Sequence, residues 1–240
     1  MNIYIDIGGT NFRYFAFSSI NNIKCKSKCL SVDKENVFHQ LDTNLKHISN
    51  EFKIKNITVC LPGIIKNSCI YGVNNLNIVD GAPLLKSFED INIKYVNDGD
   101  AFVIGETMDK LLTPKNRNII GIIFGTGVGC GLILNGRTVW NSEIHMIFES
   151  YMKKNYLTNE NVEKVTDFIA LELNKLISLL TLNYIIIGGY VSFIDNFEIL
   201  LHQRMKDKSY YNTTIIVSKS RNSILRGLQL FSYMNESESE

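Results

Sequence analysis

Three glycine turns are the residues best suited to chemistry, because each follows or interrupts a run typical of a buried strand. They contain Gly8, Gly9, Thr10 and Asn11 in the first turn, Gly125, Thr126 and Gly127 in the second, and Gly188 and Gly189 in the third. Backbone amides in such turns approach phosphate oxygens closely and form an anion-binding concavity, to which threonine hydroxyls add donors. The turns therefore predict phosphate binding, although any one Gly-Gly pair is more often only a turn.

Polar residues stand beside two of the strand patterns. Asp6 lies at the mouth of the first turn, where a carboxylate suits Mg²⁺, an ion that keeps much of its hydration shell. Asn97 and Asp98 open the run NDGDAFVIGE, in which the first amides of a predicted helix need an acceptor. Each has a simpler alternative role: Asp6 as a turn cap, and Asn97 or Asp98 as a helix cap alone.

A strand–glycine–strand hairpin opens each half of the chain, at residues 2–17 and again at residues 119–134. The glycines of the second hairpin are followed by the strand pattern GLIL rather than by a helix, which excludes a Rossmann dinucleotide fingerprint. Strand and helix patterns alternate after each hairpin, so we expect an α/β fold with an internal duplication. We expect two α/β domains, residues 1–97 and 98–240, with the last helix packing back on the first domain.

The first predicted helix covers residues 33–52 and has one apolar face. That face contains residues at helical spacing, namely Val37, Leu41, Leu45, Ile48 and Phe52. Asp33 is the predicted N-cap, because its carboxylate suits the unpaired amides of the first turn.

The composition excludes several classes of function. The 25 basic and 24 acidic residues nearly cancel, so no electrostatic field attracts nucleic acid or an anionic membrane nonspecifically. The uncharged run at residues 119–134 is too short for a membrane span, and its glycines weaken any helix there. Five scattered cysteines with no CxxC pair, and no secretory leader, predict reduced thiols and a cytoplasmic protein.

Taken in chain order, the motifs resemble the ROK (repressor, ORF, kinase) family of sugar kinases within the ASKHA superfamily. The matching segments are DIGGTN for the first phosphate loop, LPG with VNNLNIVDGAPL for the substrate side, VNDGDAFVIGE for the catalytic Asn-Asp motif, FGTGVGCGLILNGR for the second phosphate loop and IIIGGYVS for the adenosine loop. The resemblance covers nearly the whole chain. It implies two actin-like (ribonuclease H-like) α/β domains that flank a cleft.

The resemblance also implies a role for each matched residue. Residues 8–11 and 125–127 would bind the β- and γ-phosphates of ATP, and Gly188 and Gly189 would lie against the adenosine. Asp98 would accept the proton of the attacking sugar hydroxyl, as a positioned carboxylate does in phosphoryl transfer. The residues that would contact the sugar are Asn75, Asn97, Asp98, Glu143, His145 and Glu149.

The chain departs from the family pattern after the second phosphate loop. The family there shows a Gly-Glu-x-Gly-His segment, then a cysteine-rich zinc loop and a further sugar-binding Glu, whereas this chain reads NSEIHMIFES. His145 remains, Glu143 stands two residues before it rather than three, and Glu149 resembles the last Glu. The zinc cysteines are absent, so we expect no structural zinc.

The resemblance favours an ATP-dependent kinase that uses Mg²⁺ and transfers the γ-phosphoryl group to a hydroxyl of a glucose-like hexose. The alternative acceptors are an amino sugar and a 2-keto-3-deoxy sugar acid, whose carboxylate would pair with Arg13 or Arg137. A non-catalytic pseudokinase that binds sugar or nucleotide is the second alternative.

The expected partner is a small-molecule sugar, with no nucleic acid and no membrane. The family's transcriptional repressors carry a DNA-binding helical domain ahead of the first strand, which here begins at residue 2. A repressor is therefore not expected, and a homodimer is compatible with the kinase assignment.

Overall fold

The computed structural model describes residues 1–73, 75–110, 112, 117–142, 144–148, 158–206 and 212–234. Its strands up to residue 97 are β1 (Asn2–Ile7), β2 (Asn11–Phe17), β3 (Lys24–Ser31), β4 (Asn56–Leu61), β5 (Ile64–Lys66), β6 (Cys69–Tyr71), β7 (Ala82–Pro83), β8 (Ser87–Phe88) and β9 (Ile91–Asn97). The later strands are β10 (Ile119–Phe124), β11 (Val128–Leu134), β12 (Arg137–Val139), β13 (Tyr184–Gly189) and β14 (Thr214–Val217). The helices are α1 (Val37–Glu51), α2 (Asp98–Asp109), α3 (Val162–Leu180), α4 (Phe197–Met205) and α5 (Ser223–Met234).

The strands form two large sheets and one small sheet. Their orders are β3-β2-β1-β4-β9-β8, β12-β11-β10-β13-β14 and β5-β6-β7. In each large sheet an antiparallel hairpin continues into a parallel neighbour: β1 pairs with β2 and β4, and β10 pairs with β11 and β13. The mixed α/β fold is thereby confirmed, and the repeated connection agrees with an internal duplication. The boundary after residue 97 stays a prediction.

The central strands are apolar because both of their faces are covered. Every residue of β1 is buried, as are all residues of β10 except Ile123. Parallel central strands of this kind read as near-continuous apolar runs, which explains NIYIDI and IIGIIF. Asp6, near the end of β1, is the charged exception and is only 4% exposed. Because a buried charge is costly unless it is paired or hydrogen-bonded, we expect a partner for Asp6 at this end of the sheet.

The first helix confirms four of the five residues of the predicted apolar face, because Phe52 is the half-buried C-cap rather than part of the helix, and it does not confirm the predicted N-cap. The buried residues of α1 are Val37, Leu41, Leu45 and Ile48. The helix begins after Asn36, whose side chain makes no capping hydrogen bond. Asp33 instead accepts hydrogen bonds from the amides of Glu35 and Asn36, at 3.2 and 3.1 Å. The prediction of Asp33 as N-cap was therefore wrong, because its carboxylate closes a local turn before the helix.

Helices α2 and α5 pack against each other, and each contacts a large sheet. α2 contacts β10 and β11 of the second sheet and, less extensively, β4 and β9 of the first, whereas α5 contacts β1, β4 and β9 of the first. The last helix thus lies on the first sheet, although it follows the second sheet in sequence. Within the part of the chain that the structure describes, no helix is both long enough and apolar enough to cross a membrane.

Candidate active site

The first two glycine turns, which lie in different sheets, face each other across a cleft. The hydroxyl oxygens of Thr10 and Thr126 are 2.7 Å apart and share a hydrogen bond. Next to them the backbone leaves open space: a Cβ on Gly8 or Gly125 would find its nearest neighbour, a carbonyl oxygen, 3.8 or 3.9 Å away. The structure therefore brings together two turns that are far apart in sequence and leaves room for a ligand between them.

Asn97 is the N-cap of α2. Its Oδ1 accepts hydrogen bonds from the amides of Gly99 and Asp100, at 2.8 and 3.2 Å. Its Nδ2 donates to the carbonyl oxygen of Gly63 at 2.9 Å. Asn97 lines the cleft but is only 5% exposed. The simpler capping role considered above is thus present, and the contact of Asn97 with a sugar stays a prediction.

Asp98 is the first residue of α2, and it lines the cleft. Burial raises the pKa of Asp98 to about 6; the hydrogen bond from the Gly99 amide opposes this rise, and the negative charge of Asp6 adds to it. Strand β11 leaves space for the carboxylate, since a Cβ on Gly129 would lie 3.2 Å from each of its oxygens. A carboxylate with a pKa close to neutrality suits a general base.

Asp6 and Arg13 form an ion pair across the first hairpin, where they are opposite each other in the register of β1 and β2. Burial raises the pKa of Asp6, and the positive charge and hydrogen bond of Arg13 oppose the rise. Because a carboxylate of the protein already neutralises Arg13, its predicted pairing with a sugar acid is disfavoured. Arg137 lies on β12, at the outer edge of the second sheet.

The acidic residues of the cleft fit a magnesium ion that arrives with a nucleotide. Among the described residues, no group of three or more His, Cys, Asp or Glu side chains could hold a metal ion by itself. Mg²⁺ in kinases is held by one or two carboxylates, with phosphate oxygens and water completing its shell. Asp6 lines the cleft and could supply such an oxygen. The expected lack of a structural zinc stays a prediction.

The residues predicted to contact a sugar divide into two groups. Asn75 and His145 line the same cleft as Asp98. Asn75 packs against the first turn, because a Cβ on Gly9 would lie 3.0 Å from the Asn75 Cβ. Glu143 and Glu149 lie outside the described residues, so their contacts stay predictions.

One glycine of the third turn, Gly189, lines a second cavity. Gly189 has a φ of 87°, in the left-handed region that favours glycine, and it shares this cavity with Phe193 and Arg221. The guanidinium carbon of Arg221 lies 5.4 Å from the centroid of the Phe193 ring, a cation–π distance. Gly188 is buried against the ring of Phe102. The two cavities have four lining residues in common, which are Asp6, Arg13, Ile123 and Ile224.

Asn141 is a residue of this region that sequence reasoning missed. Its Oδ1 accepts from the amide of Ile65 at 2.9 Å, and its Nδ2 donates to the carbonyl oxygen of Ile65 at 3.2 Å. Its own amide donates to Oδ2 of Asp100 at 2.8 Å. Asn141 therefore ties β5 to the first turn of α2. The available signal was weak: asparagine tolerates the left-handed conformation that Asn141 adopts, with a φ of 58°.

A curated relative supports the family expectation. The N-acetyl-D-glucosamine kinase of Mannheimia succiniciproducens is 26% identical over 163 residues, which are 63% of this chain and 52% of that protein. The chain spans about half the length of the curated relatives it matches.

Two solved structures share the fold along nearly the whole chain. The inorganic polyphosphate/ATP-glucomannokinase from Arthrobacter sp. strain KM matches with a TM-score of 0.72 and 17% identity, covering 97% of this chain and 98% of that one. The ROK family glucokinase from Streptomyces griseus, in complex with glucose and AMPPNP, matches with a TM-score of 0.68 and 13% identity, covering 97% and 99%. The model of the ROK family matches residues 2–142, more than half of the chain. The expectation from the order of the motifs is confirmed: the chain belongs to the ROK family.

Proposed function

We propose that this protein is an ATP-dependent sugar kinase in which Asp98 is the general base. The observation that carries the proposal is the Asp98 carboxylate, whose pKa is raised to about 6, in the same cleft as the two facing glycine turns. A base of this pKa is ionised at neutral pH and still accepts a proton readily. The names of the relatives, which are sugar kinases, support the same activity.

In the proposed phosphoryl transfer one bond to the γ-phosphorus forms, another breaks, and one proton moves. The sugar hydroxyl gives its proton to a carboxylate oxygen of Asp98 while its oxygen bonds to the γ-phosphorus of ATP. The bond from that phosphorus to the oxygen that bridges it to the β-phosphate breaks, and its electron pair stays on that oxygen, which leaves as part of ADP. The backbone amides of residues 8–11 and 125–127, with the hydroxyls of Thr10 and Thr126, stabilise the charge on the phosphoryl oxygens.

ATP would lie across both cavities. Its β- and γ-phosphates occupy the space between the first two turns, and its adenosine extends into the second cavity beside Gly188 and Gly189. The lining residues common to both cavities support this placement, because a triphosphate must pass from one to the other. Mg²⁺ bound with ATP would be held by Asp6 through water, and it would neutralise phosphate charge.

The acceptor in this proposal is a hexose, with N-acetylglucosamine ahead of glucose. The curated relatives are named N-acetyl-D-glucosamine kinases, whereas one relative in fold is a glucokinase. This order departs from the glucose preference expected from the sequence. A sugar acid comes last, because Arg13 is already paired with Asp6. The proposed sugar-contacting residues are Asn75, Asn97, Asp98, Glu143, His145 and Glu149.

A coupled assay of ADP release tests the activity and the acceptor together. Purified protein is given ATP, Mg²⁺ and one acceptor at a time: N-acetylglucosamine, N-acetylmannosamine, glucose or 2-keto-3-deoxygluconate. We expect the highest kcat/KM with N-acetylglucosamine, and phosphorus NMR of the product identifies the hydroxyl that is modified. A rate that is the same with and without every acceptor would contradict the kinase assignment. A preference of a hundredfold or more for the sugar acid would contradict the proposed acceptor.

The proposal includes two lobes, residues 1–97 and 98–240, that close around the substrates and exclude water. It also includes a cytoplasmic location, which is supported by the free thiols of Cys25, Cys29, Cys60, Cys69 and Cys130. Limited proteolysis with and without ATP and sugar tests lobe closure, because a closed cleft protects the connecting segments from cleavage.

A further inference from the structure

Glu106 is a buried carboxylate that the proposed mechanism does not use. It lies on α2 and is 0% exposed. Its Oε1 accepts hydrogen bonds from the hydroxyls of Ser218, at 2.7 Å, and of Ser223. Its Oε2 lies 3.6 Å from Nζ of Lys110, one turn further along the same helix. Because a carboxylate loses its hydration when it is buried, these partners are what make its position tolerable.

The two serines delimit the segment between β14 and α5, which forms one wall of the second cavity. The amide of Ser218 donates to the carbonyl oxygen of Ile187 at 2.7 Å, directly before the third glycine turn. Ser220, Arg221 and Ser223 line the cavity itself. Both ends of this wall segment are therefore hydrogen-bonded to one carboxylate oxygen on a different helix.

The position of Glu106 connects this wall to the candidate base. α2 begins at Asp98, and Glu106 follows about 12 Å further along the helix axis, at 1.5 Å per residue. The neighbouring Gly105 permits close contact, because a Cβ there would overlap the carbonyl oxygen of Ser223. One rigid helix thus reaches the cleft at its first residue and the wall of the second cavity at its third turn.

We propose that Glu106 is a positioning residue that holds the wall of the nucleoside cavity in a fixed position relative to Asp98. The inference rests on the proposed function, because it assigns the second cavity to the nucleoside of ATP. Without Glu106 the segment with Ser220 and Arg221 loses both hydroxyl anchors, and nucleotide binding must then order it. Asp98 and its cap Asn97 keep their own hydrogen bonds, so the loss falls on nucleotide affinity rather than on proton transfer.

Equilibrium binding of AMPPNP with Mg²⁺, measured by calorimetry on the full chain, tests the inference. We expect Glu106→Ala to raise the Kd for AMPPNP about tenfold. Glu106→Gln keeps an oxygen acceptor for both serines and stays within about twofold of the parent protein. In the kinase assay Glu106→Ala raises the KM for ATP by the same factor and leaves the KM for the sugar unchanged.

Thr107→Val is the matched control for a general disturbance of α2. Thr107 is also buried on this helix, but its hydroxyl donates to the carbonyl oxygen of Val103 in the same helix. We expect this variant to bind AMPPNP as the parent protein does. If Glu106→Ala fails to fold, Ser218→Ala removes one of the two anchors from the wall side, and we expect a Kd raised about threefold.

The outcomes separate the inference from the proposed function. Unchanged AMPPNP affinity in the folded Glu106→Ala or Ser218→Ala variant overturns the positioning role, and so does an equal loss in Thr107→Val. If the parent protein does not bind AMPPNP, both the proposed function and the inference are contradicted. A loss confined to Glu106→Ala and Ser218→Ala, with recovery in Glu106→Gln, supports the inference.

Discussion

The two hairpins that open the halves of the chain share a backbone plan and differ in chemistry. The second-to-last cross-strand pair before the turn is Asp6 opposite Arg13 in the first hairpin and Ile123 opposite Gly129 in the second. Both Asp6 and Ile123 line both cavities. The first hairpin therefore brings a charged pair to the site, whereas the equivalent pair in the second hairpin brings none.

The difference shows how one supersecondary unit can serve a site in two ways. Gly129 has no side chain, and the space it leaves is taken by the Asp98 carboxylate. Burial is the main cause of the raised pKa of Asp98, to which the charge of Asp6 in the first hairpin adds, and the second hairpin makes room for the same group. Because the strand pairing is equivalent in both hairpins, only the side chains make the first hairpin a charged wall of the site and the second an uncharged one.

Removing the proposed base, Asp98, has the largest expected effect. We predict that Asp98→Asn lowers kcat by about 10² to 10⁴-fold, the usual contribution of a general base, while sugar affinity changes little. Asparagine keeps the shape of the residue and its acceptor for the Gly99 amide. Steady-state kinetics with a direct sugar-binding measurement check this, and near-normal turnover would remove Asp98 from the mechanism.

Adding a methyl group at Gly129, where the Asp98 carboxylate lies, has the next largest expected effect. We predict that Gly129→Ala lowers kcat about tenfold, because the new Cβ would lie 3.2 Å from both Asp98 oxygens and 3.0 Å from Ile123. In the Asp98→Asn background the same change should cost little, since there is no longer a base to displace. Full additivity in this double-mutant cycle would show that Gly129 acts elsewhere.

The pH dependence of kcat/KM tests the charge that the first hairpin supplies. Asp98 must be ionised to act as base, so we expect kcat/KM to fall about tenfold per unit as pH drops below about 6. Asp6→Asn removes a negative charge that raises the pKa of Asp98, so the acid limb should move to lower pH even though overall activity also falls. An acid limb that stays in place would mean that Asp6 does not act on Asp98 through charge.

Asn141, which follows the second hairpin, should give the smallest effect. Asn141→Gly keeps the left-handed backbone and loses the side-chain bonds to Ile65, so we expect about 1 to 2 kcal/mol of lost stability. Asn141→Ala should cost about 1 kcal/mol more, because alanine resists this conformation. Chemical denaturation of both variants provides the measurement, and equal losses would show that the backbone conformation contributes nothing.

Local pattern was enough to predict most of the elements. The apolar runs around the glycines predicted the central strands, and the spacing of Val37, Leu41, Leu45 and Ile48 predicted α1. The cap of α1 was predicted wrongly, because Asp33 and Asn36 are both suitable and only backbone angles decide between them. At Asn97 and Asp98 the local pattern predicted a helix start and its cap, whereas the role of Asp98 as base came from the resemblance to the family.

By itself the sequence predicted the strands and the glycine turns, because each depends on residues that are close together in the chain, and the order of its motifs indicated the family and, through it, the candidate base. Only the tertiary structure decided which groups meet. The register of two strands pairs Asp6 with Arg13, and the approach of two sheets joins Thr10 to Thr126. The separation of the third turn into a second cavity, and the contact of Glu106 with Ser218, arise in the same way. Such contacts join residues that are distant in sequence, and their energies depend on the burial and geometry that packing alone creates.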